Sequence, residues 1–463
     1  MTNVFFERDI YAYLIKWVEQ FSDRALYLNG PRQVGKTSIL KKLGAEHFER
    51  CVYINLYIDD VRNDFEQSIR THREKFGTSK FDEECGPMWE EILKAQDSNY
   101  TNDPATLVIL DEIQESSIAY NNIRQIRRGL KSKLAITGSY LGIVSNFKGY
   151  KFPTGDVTFA EMSSMTFIEF LKANGVWENY DPIQTFDWAK MTEHEQETCE
   201  HVRELYRVYC IIGGYPDVVS KWVNTHNMDA CKLLTADLLQ SFYRESSAYF
   251  EEIIGRTLWM KTLGRVAAHM VTKSGDLDIT IAKEVFRDNT SEGLGIRRRD
   301  KINALKWLDE CCITGTVPVF DKLEKVTSIG NKLFFYFRDM GLLTQLCEDD
   351  FDVLKSNYDG MAAENFVYLH LLEETGKLFV GDDVRSFSNP QGQIDFVMHD
   401  KNRKRYGIEV KHGKGETKSA DTALREGRID FLIKVQDTYG SIQDNQATIP
   451  IFMLDKLKYI IKK

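Results

Sequence analysis

Two glycines, a lysine and a threonine stand near the N-terminus at a spacing that suits phosphate: Gly30-Pro31-Arg32-Gln33-Val34-Gly35-Lys36-Thr37, followed by Ser38. In this G-x-x-x-x-G-K-T pattern the glycines let the backbone turn tightly enough for successive N–H groups to face an anion. Lys36 supplies a positive charge for β and γ phosphates, and the Thr37 hydroxyl supplies a ligand for Mg²⁺. Gly30 through Ser38 are therefore the expected cradle for ATP. A glycine-rich turn without a ligand is the alternative, and the context argues against it. ALYLN (Ala25 to Asn29) reads as a short strand and Ser38 to Leu43 as a helix, so the loop opens onto a helix N-terminus.

Phosphoryl chemistry needs a second element, because the metal requires a carboxylate and the attacking water requires orientation. TLVIL (Thr106 to Leu110) is an unbroken apolar run of the kind found in a buried parallel strand, and it ends in Asp111-Glu112. Asp111 is expected to bind Mg²⁺ through water and Glu112 to polarise the attacking water. A third strand, LAIT (Leu134 to Thr137), ends in Gly138-Ser139, so Thr137 and Ser139 are the candidates for sensing the γ-phosphate. Asn55, at the end of the strand Cys51 to Asn55, is expected to hold Glu112 until a ligand arrives.

A different chemistry is written near the C-terminus. Ile394-Asp395-Phe396-Val397-Met398 and Tyr406-Gly407-Ile408-Glu409-Val410-Lys411 both alternate, with a polar HDKNRKR turn between them. Pairing Asp395 opposite Glu409 centres the turn on Asn402 and puts Asp395, Glu409 and Lys411 on one face. Asp395 and Glu409 suit a divalent metal that activates water against a phosphodiester, with Lys411 stabilising charge. On the helix Met361 to Leu372, Glu364 has Val367, Tyr368 and Leu371 at i+3, i+4 and i+7; a carboxylate on an apolar face requires a partner, and a metal shared with Asp395 and Glu409 would supply one, making Glu364 a third catalytic carboxylate. The alternative is an ordinary charged outer sheet face. Lys401, Arg403, Lys404, Arg405, Lys411, Lys414 and Lys418 form the most basic stretch, which suits a phosphate backbone.

Between these sites, Asp278 to Phe286 and Arg297 to Cys311 read as amphipathic helices around a glycine-containing loop, followed by strand-like TGTVPVF and KVTSI. That is the pattern of a helix–turn–helix with a wing, and Arg297, Arg298 and Arg299 open its second helix where phosphate contacts are made.

The runs YLNGPRQVGKTSIL, TLVILDEIQE, AITGSYLGIV, MTFIEFL, IIGGYPDVV, KLFFYFRDMGLL and GQIDFVMH…YGIEVK together resemble ATPases of the AAA+ superfamily in which an AAA-type core is joined to a DUF4143 C-terminal region. The resemblance implies an α/β fold with four parts. A P-loop AAA-type αβα nucleotide domain is expected over 1–165, a helical lid over 166–245 and a winged-helix-like module over 246–345. A restriction-endonuclease-like α/β domain similar to PD-(D/E)xK nucleases is expected over 346–463. Arg124, Arg127 and Arg128, just before the third strand, are the candidates for reaching a neighbouring subunit's phosphate.

Composition bounds these readings. A chain of 463 residues with 43% hydrophobic and 28% charged residues is globular and long enough for two to four cores. A net charge of −9 gives no global field for nucleic acid, so such contact must be local. Eight cysteines without a C-x-x-C pair are expected to be buried, reduced thiols. No secretory leader or apolar run of about 18 residues is evident, which points to a cytoplasmic protein without a membrane. The acidic, polar stretch Glu178 to Glu200 reads as a surface insertion or linker region. The expected function is an ATPase, converting ATP and water to ADP and phosphate, whose nucleotide state controls a Mg²⁺-dependent nuclease-like domain acting on DNA or RNA. The alternative is a switch or scaffold ATPase whose C-terminal domain binds a protein partner or nucleic acid without cutting. Homo-oligomerisation is open in both.

Overall fold

Five short runs build the first sheet: β1 (Ala25–Asn29), β2 (Arg50–Asn55), β3 (Thr106–Asp111), β4 (Lys133–Thr137) and β5 (Val157–Glu161). All pair in parallel, in the order β2-β3-β4-β1-β5. β3 and β4 are buried along their whole lengths. Continuous apolar runs are what a parallel sheet covered on both faces demands. The helix Lys36–His47 packs on β2, β3 and β4. Tyr27, Val52, Ile54, Leu110 and Ile136 pack in a separate core with Trp89, Ile92, Tyr120 and Ile126. Because β4 lies between β1 and β3, the loop after β1, the Asp111-Glu112 pair after β3 and Ser139 after β4 emerge side by side at the carboxyl edge, where open α/β sheets bind ligands.

The computed structural model describes residues 5–21, 23–76, 85–139, 155–249, 308–321, 332–350, 352–381, 383–389, 392–411 and 418–461. They divide into two units, one comprising Glu7–Ser163 with Glu310–Cys312, the other the remainder. The parallel sheet belongs to the first, in agreement with the expected P-loop α/β architecture.

In the second unit, the helices Phe167–Ala173 and Glu193–Ile212 each begin with a capping box, Thr166 with Glu169 and Thr192 with Glu195. Two of the sequence runs quoted above meet here. The buried Asp339 carboxylate accepts the N–H groups of Gly214, Gly341 and Leu342 at 2.8, 2.8 and 3.2 Å. A Cβ on Gly213 would stand 2.2 Å from Asp339 Oδ1, so the run requires glycine at that point.

A four-stranded sheet follows, made of β6 (Thr314–Phe320), β7 (Lys332–Phe337), β8 (Ser386–Asn389) and β9 (Gly392–Ile394) in the order β7-β6-β8-β9. TGTVPVF, read from sequence as part of a wing, is β6. It pairs antiparallel with β7 on one side and parallel with β8 on the other. Its alternation suits any half-buried strand, so pattern alone does not choose its neighbours. Asp278 to Phe286, Arg297 to Arg299 and the KVTSI run lie outside the described residues. The last sheet is mixed, β10-β11-β12-β14-β13, from Phe396–His399, Arg405–Lys411, Phe431–Gln436, Gln446–Pro450 and Ile442–Gln443 respectively.

The Glu178 to Glu200 stretch is not a surface insertion. Tyr180, Ile183 and Phe186 are buried, and the Tyr180 hydroxyl donates to Asp455 Oδ1 at 2.7 Å while Lys456 Nζ donates to the Tyr180 carbonyl at 3.2 Å. The apolar residues have no helical or strand period, and their partners lie some 270 positions away, so the polar composition misleads. All eight cysteines are free; seven are buried as expected, and Cys51 on β2 is exposed. Among the described residues no helix is long and apolar enough to cross a membrane.

Candidate functional site

The loop after β1 has the shape its glycines dictate. Gly30 sits at φ +144°, and a Cβ there would lie 2.0 Å from the carbonyl oxygen of Met162. Gly35, at φ +97°, is the N-cap of the helix Lys36–His47, and no side chain caps that helix. Its first N–H groups therefore point at the loop's interior, the arrangement that binds anions. From behind, the buried Arg8 donates to the carbonyls of Val34 at 2.7 Å and Ser163 at 2.6 Å. Pro31 and Val34 are buried, Gln33 and Ser38 are exposed, and the Arg32 guanidinium lies 5.9 Å from the Tyr57 ring centroid.

Lys36 is only 6% exposed, and its ammonium donates to the carbonyls of Gly30 at 2.8 Å and Pro31 at 2.6 Å. Burial lowers its pKa to about 8, with the charges of Glu112 and Asp111 opposing the shift. Facing it, Asp111 Oδ2 accepts the hydroxyls of Thr37 at 2.8 Å and Tyr53 at 2.7 Å, and Oδ1 accepts the Glu112 N–H at 3.0 Å. Burial pushes the Asp111 carboxyl up; the bonds from Tyr53 and Thr37 pull it back toward the ionised form. A hydroxyl and a carboxylate in hydrogen-bond contact beside an anion cradle are a donor set that fits Mg²⁺ on a nucleotide.

Glu112 has a left-handed backbone, φ 52°, and its Oε2 accepts from the Gln114 side chain and, at 3.4 Å, from the Ser139 N–H. Asn55 does not hold Glu112: its Oδ1 accepts the Tyr57 N–H at 3.1 Å, a local turn that short amide side chains favour. Thr137 turns its hydroxyl onto the Leu28 carbonyl at 3.0 Å, bracing β4 on β1 instead of facing a ligand. Ser139 Oγ is buried without a partner among the described residues. Arg127 is buried and donates to the carbonyls of Leu130 and Ser132, both at 3.1 Å. Arg128 and Arg124 lie 2.7 and 3.7 Å from Asp156 carboxylate oxygens. All three arginines thus have structural partners in their own subunit. Sequence reasoning passed over Tyr53, Gln114 and Arg8; an aromatic two residues before a strand's polar end carries no signal until its neighbour strand is known.

At the C-terminus the register runs from Phe396↔Ile408 to His399↔Arg405 and stops short of Asp395, which is a bend between β9 and β10, so the expected continuous strand Ile394 to Met398 is broken there and Asp395 reaches β11 through its side chain. Asp395 and Glu409 are buried, and Asp395 Oδ2 accepts the Val410 N–H at 2.9 Å. This is not a solvated outer face. Lys411 Nζ lies 2.8 Å from Glu409 Oε1, while Glu409 Oε2 is buried without a partner among the described residues. Glu364, on the helix Asp352–Glu374, accepts the hydroxyl of the buried Tyr336, whose ring stacks on Tyr368 at 4.6 Å. Among the described residues no group of three or more His, Cys, Asp or Glu is gathered as metal ligands. Of the basic stretch, Lys401 and Arg403 are exposed, Arg405 pairs with Asp430 at 3.1 Å, and Lys414 lies outside the described residues.

Burial, reinforced by the Asp395 charge, raises Glu409 to about 7, with Lys411 opposing. An unfolded glutamate titrates near 4.3, so between about 4.3 and 7 the folded chain holds the extra proton. Its contribution to stability is therefore present at acid pH and lost as pH rises through 7. Thermal unfolding from pH 5 to 8 is expected to show wild type losing ground to Glu409→Gln over that window; parallel curves would contradict the assignment.

Residues 22–171 match the AAA domain family model, and 203–352 match a domain of unknown function, DUF8612, where the sequence runs had suggested DUF4143. No curated protein matches the chain. Among solved structures it is similar to the Aeropyrum pernix ORC1 protein in complex with DNA, at 15% identity over 75% of this chain and 94% of that one, TM-score 0.26. It is also similar to the Aeropyrum pernix ORC2 protein in its ADP form, at 12% over 76% and 92%, TM-score 0.30. A third similar structure is AMPPCP-bound DnaA from Aquifex aeolicus, at 14% over 66% and 89%, TM-score 0.23. The residues that match the AAA domain model, 22–171, hold the parallel sheet, and the loop Gly30 to Ser38, Asp111, Glu112 and Ser139 all lie inside them.

Proposed function

We propose that this chain binds ATP with Mg²⁺ at Gly30 to Ser38 and hydrolyses it to ADP and phosphate. The observation that carries the reading is the convergence on one sheet edge of an uncapped helix N-terminus, the Lys36 ammonium and the Thr37–Asp111 contact. In this reading Lys36 leaves the Gly30 and Pro31 carbonyls for the phosphates. Thr37 and Asp111 hold the metal, which when bound neutralises charge on the β and γ oxygens. Glu112 orients the attacking water once released from Gln114, and Ser139 senses the γ-phosphate. Residues 1–165 are then the ATPase core and 166–245 its helical lid. Calorimetric titration with ATP, with and without Mg²⁺, beside phosphate release from the same preparation, tests it. No binding at millimolar ATP ends the reading.

A second site favours a nuclease-like role for 346–463, with β6 and β7 attached to its sheet. Its carrying observation is the buried Asp395 and Glu409, with Lys411 at 2.8 Å from one Glu409 oxygen and the other oxygen unpartnered among the described residues, two carboxylates that would suit a divalent cation. Labelled DNA and RNA are offered with Mg²⁺ or Mn²⁺, with and without ATP. Cleavage by wild type that disappears in Lys411→Ala supports it; phosphate release without cleavage of either polymer leaves a switch or scaffold that binds a partner.

A further inference from the structure

We propose that Tyr53 is a positioning residue for the metal: its hydroxyl fixes the Asp111 carboxylate in the orientation that meets Mg²⁺ on the bound nucleotide. The inference rests on the nucleotide reading of the loop. β2 and β3 pair in parallel with Asn55 beside Asp111, so Tyr53, two residues earlier, lies on the same face and reaches forward along the sheet. Its Oη donates to Asp111 Oδ2 at 2.7 Å, on the oxygen that also accepts Thr37 at 2.8 Å; the Glu112 N–H occupies Oδ1 at 3.0 Å. Three donors on two oxygens leave the carboxylate one rotation. A carboxylate that carries a metal through water needs that constraint, because ligand geometry is held by the partners behind it.

The phenol ring is itself gripped from the helix that opens the phosphate loop. Lys41 Nζ stands 3.6 Å from the Tyr53 ring centroid. Thr37 and Lys41 are four residues apart on the helix Lys36–His47 and share a face, so one turn of helix bonds Asp111 and the next holds the residue that orients it. Tyr53 thereby couples the phosphate loop to the Asp111 strand end, a link that the strand pairing does not make.

Tyr53→Phe removes the hydroxyl and keeps the ring beneath Lys41. Mn²⁺ binding to the ATP complex, read by electron paramagnetic resonance, is expected to weaken about tenfold, the scale of one hydrogen bond to a charged group. ATP affinity in EDTA is expected to stay within about twofold of wild type, and Tyr53→Phe placed on Asp111→Asn to add nothing further. Unchanged Mn²⁺ affinity in the single variant overturns the proposal. So does a loss of EDTA affinity, which would make Tyr53 a support of the loop instead of the carboxylate. Failure of the nucleotide reading looks different: wild type itself would gain no affinity for ATP from metal.

Discussion

In Lys36→Ala, phosphate release is expected to fall by about 10²–10³-fold, the scale of removing one preorganised charge donor from a reacting phosphate. The ammonium is buried and donates to the carbonyls of Gly30 and Pro31, so it is poised on the inside of the loop. The same burial that lowers its pKa makes it a weakly hydrated donor, which costs little to transfer to a phosphate oxygen. Loss of the side chain leaves two carbonyls to water and removes a buried charge, so the fold is expected to survive. Thermal unfolding within a few degrees of wild type, beside lost turnover and weakened ATP binding, is the anticipated pair of results. Turnover that persists would mean that the loop is not where the chemistry occurs.

Glu112→Gln separates binding from chemistry. A general base contributes about 10²–10⁴-fold, and the amide keeps the size and the acceptor oxygen that meets the Ser139 N–H. ATP affinity is therefore expected to match wild type while single-turnover hydrolysis falls by that factor, giving a protein that holds ATP unspent. Such a variant is also the direct way to ask whether nucleotide state reaches the Asp395–Glu409 site: nucleic-acid cleavage or binding is compared between the ATP-held variant and wild type with ADP. Hydrolysis at the wild-type rate would remove Glu112 from the mechanism.

Much of the nucleotide site was legible because its parts are encoded locally. Gly30 and Gly35 are required by backbone geometry, and the apolar run ending at Asp111 announces a buried strand. The β10–β11 register was legible for a similar reason: one turn fixes it, although the ladder ends at Phe396 and leaves Asp395 at a bend. Where contacts span strands, sequence reasoning failed in a consistent way. Asn55 and Tyr53 lie on one strand face two residues apart, and only the side-chain reach decides that the tyrosine meets Asp111 while the asparagine turns to Tyr57. Glu364 was read correctly as a carboxylate needing a partner, but the partner is Tyr336, from a strand that the sequence placed in another module. TGTVPVF, read as part of a wing, likewise shows its neighbours β7 and β8 only in the fold.

The Asp339 clip has a topological consequence. Its bond to the Gly214 N–H joins two buried positions 125 residues apart in the chain. A single cut in the backbone between those two positions would therefore not part the flanking pieces: the helices before 214 and the segment after 339 would stay joined as a nicked pair under native conditions and separate only in denaturant. A fragment beginning at 346, the obvious choice for isolating the C-terminal site, would lack both halves of this clip and would strip the helix Asp352–Glu374 of the strand that carries Tyr336, the partner of Glu364.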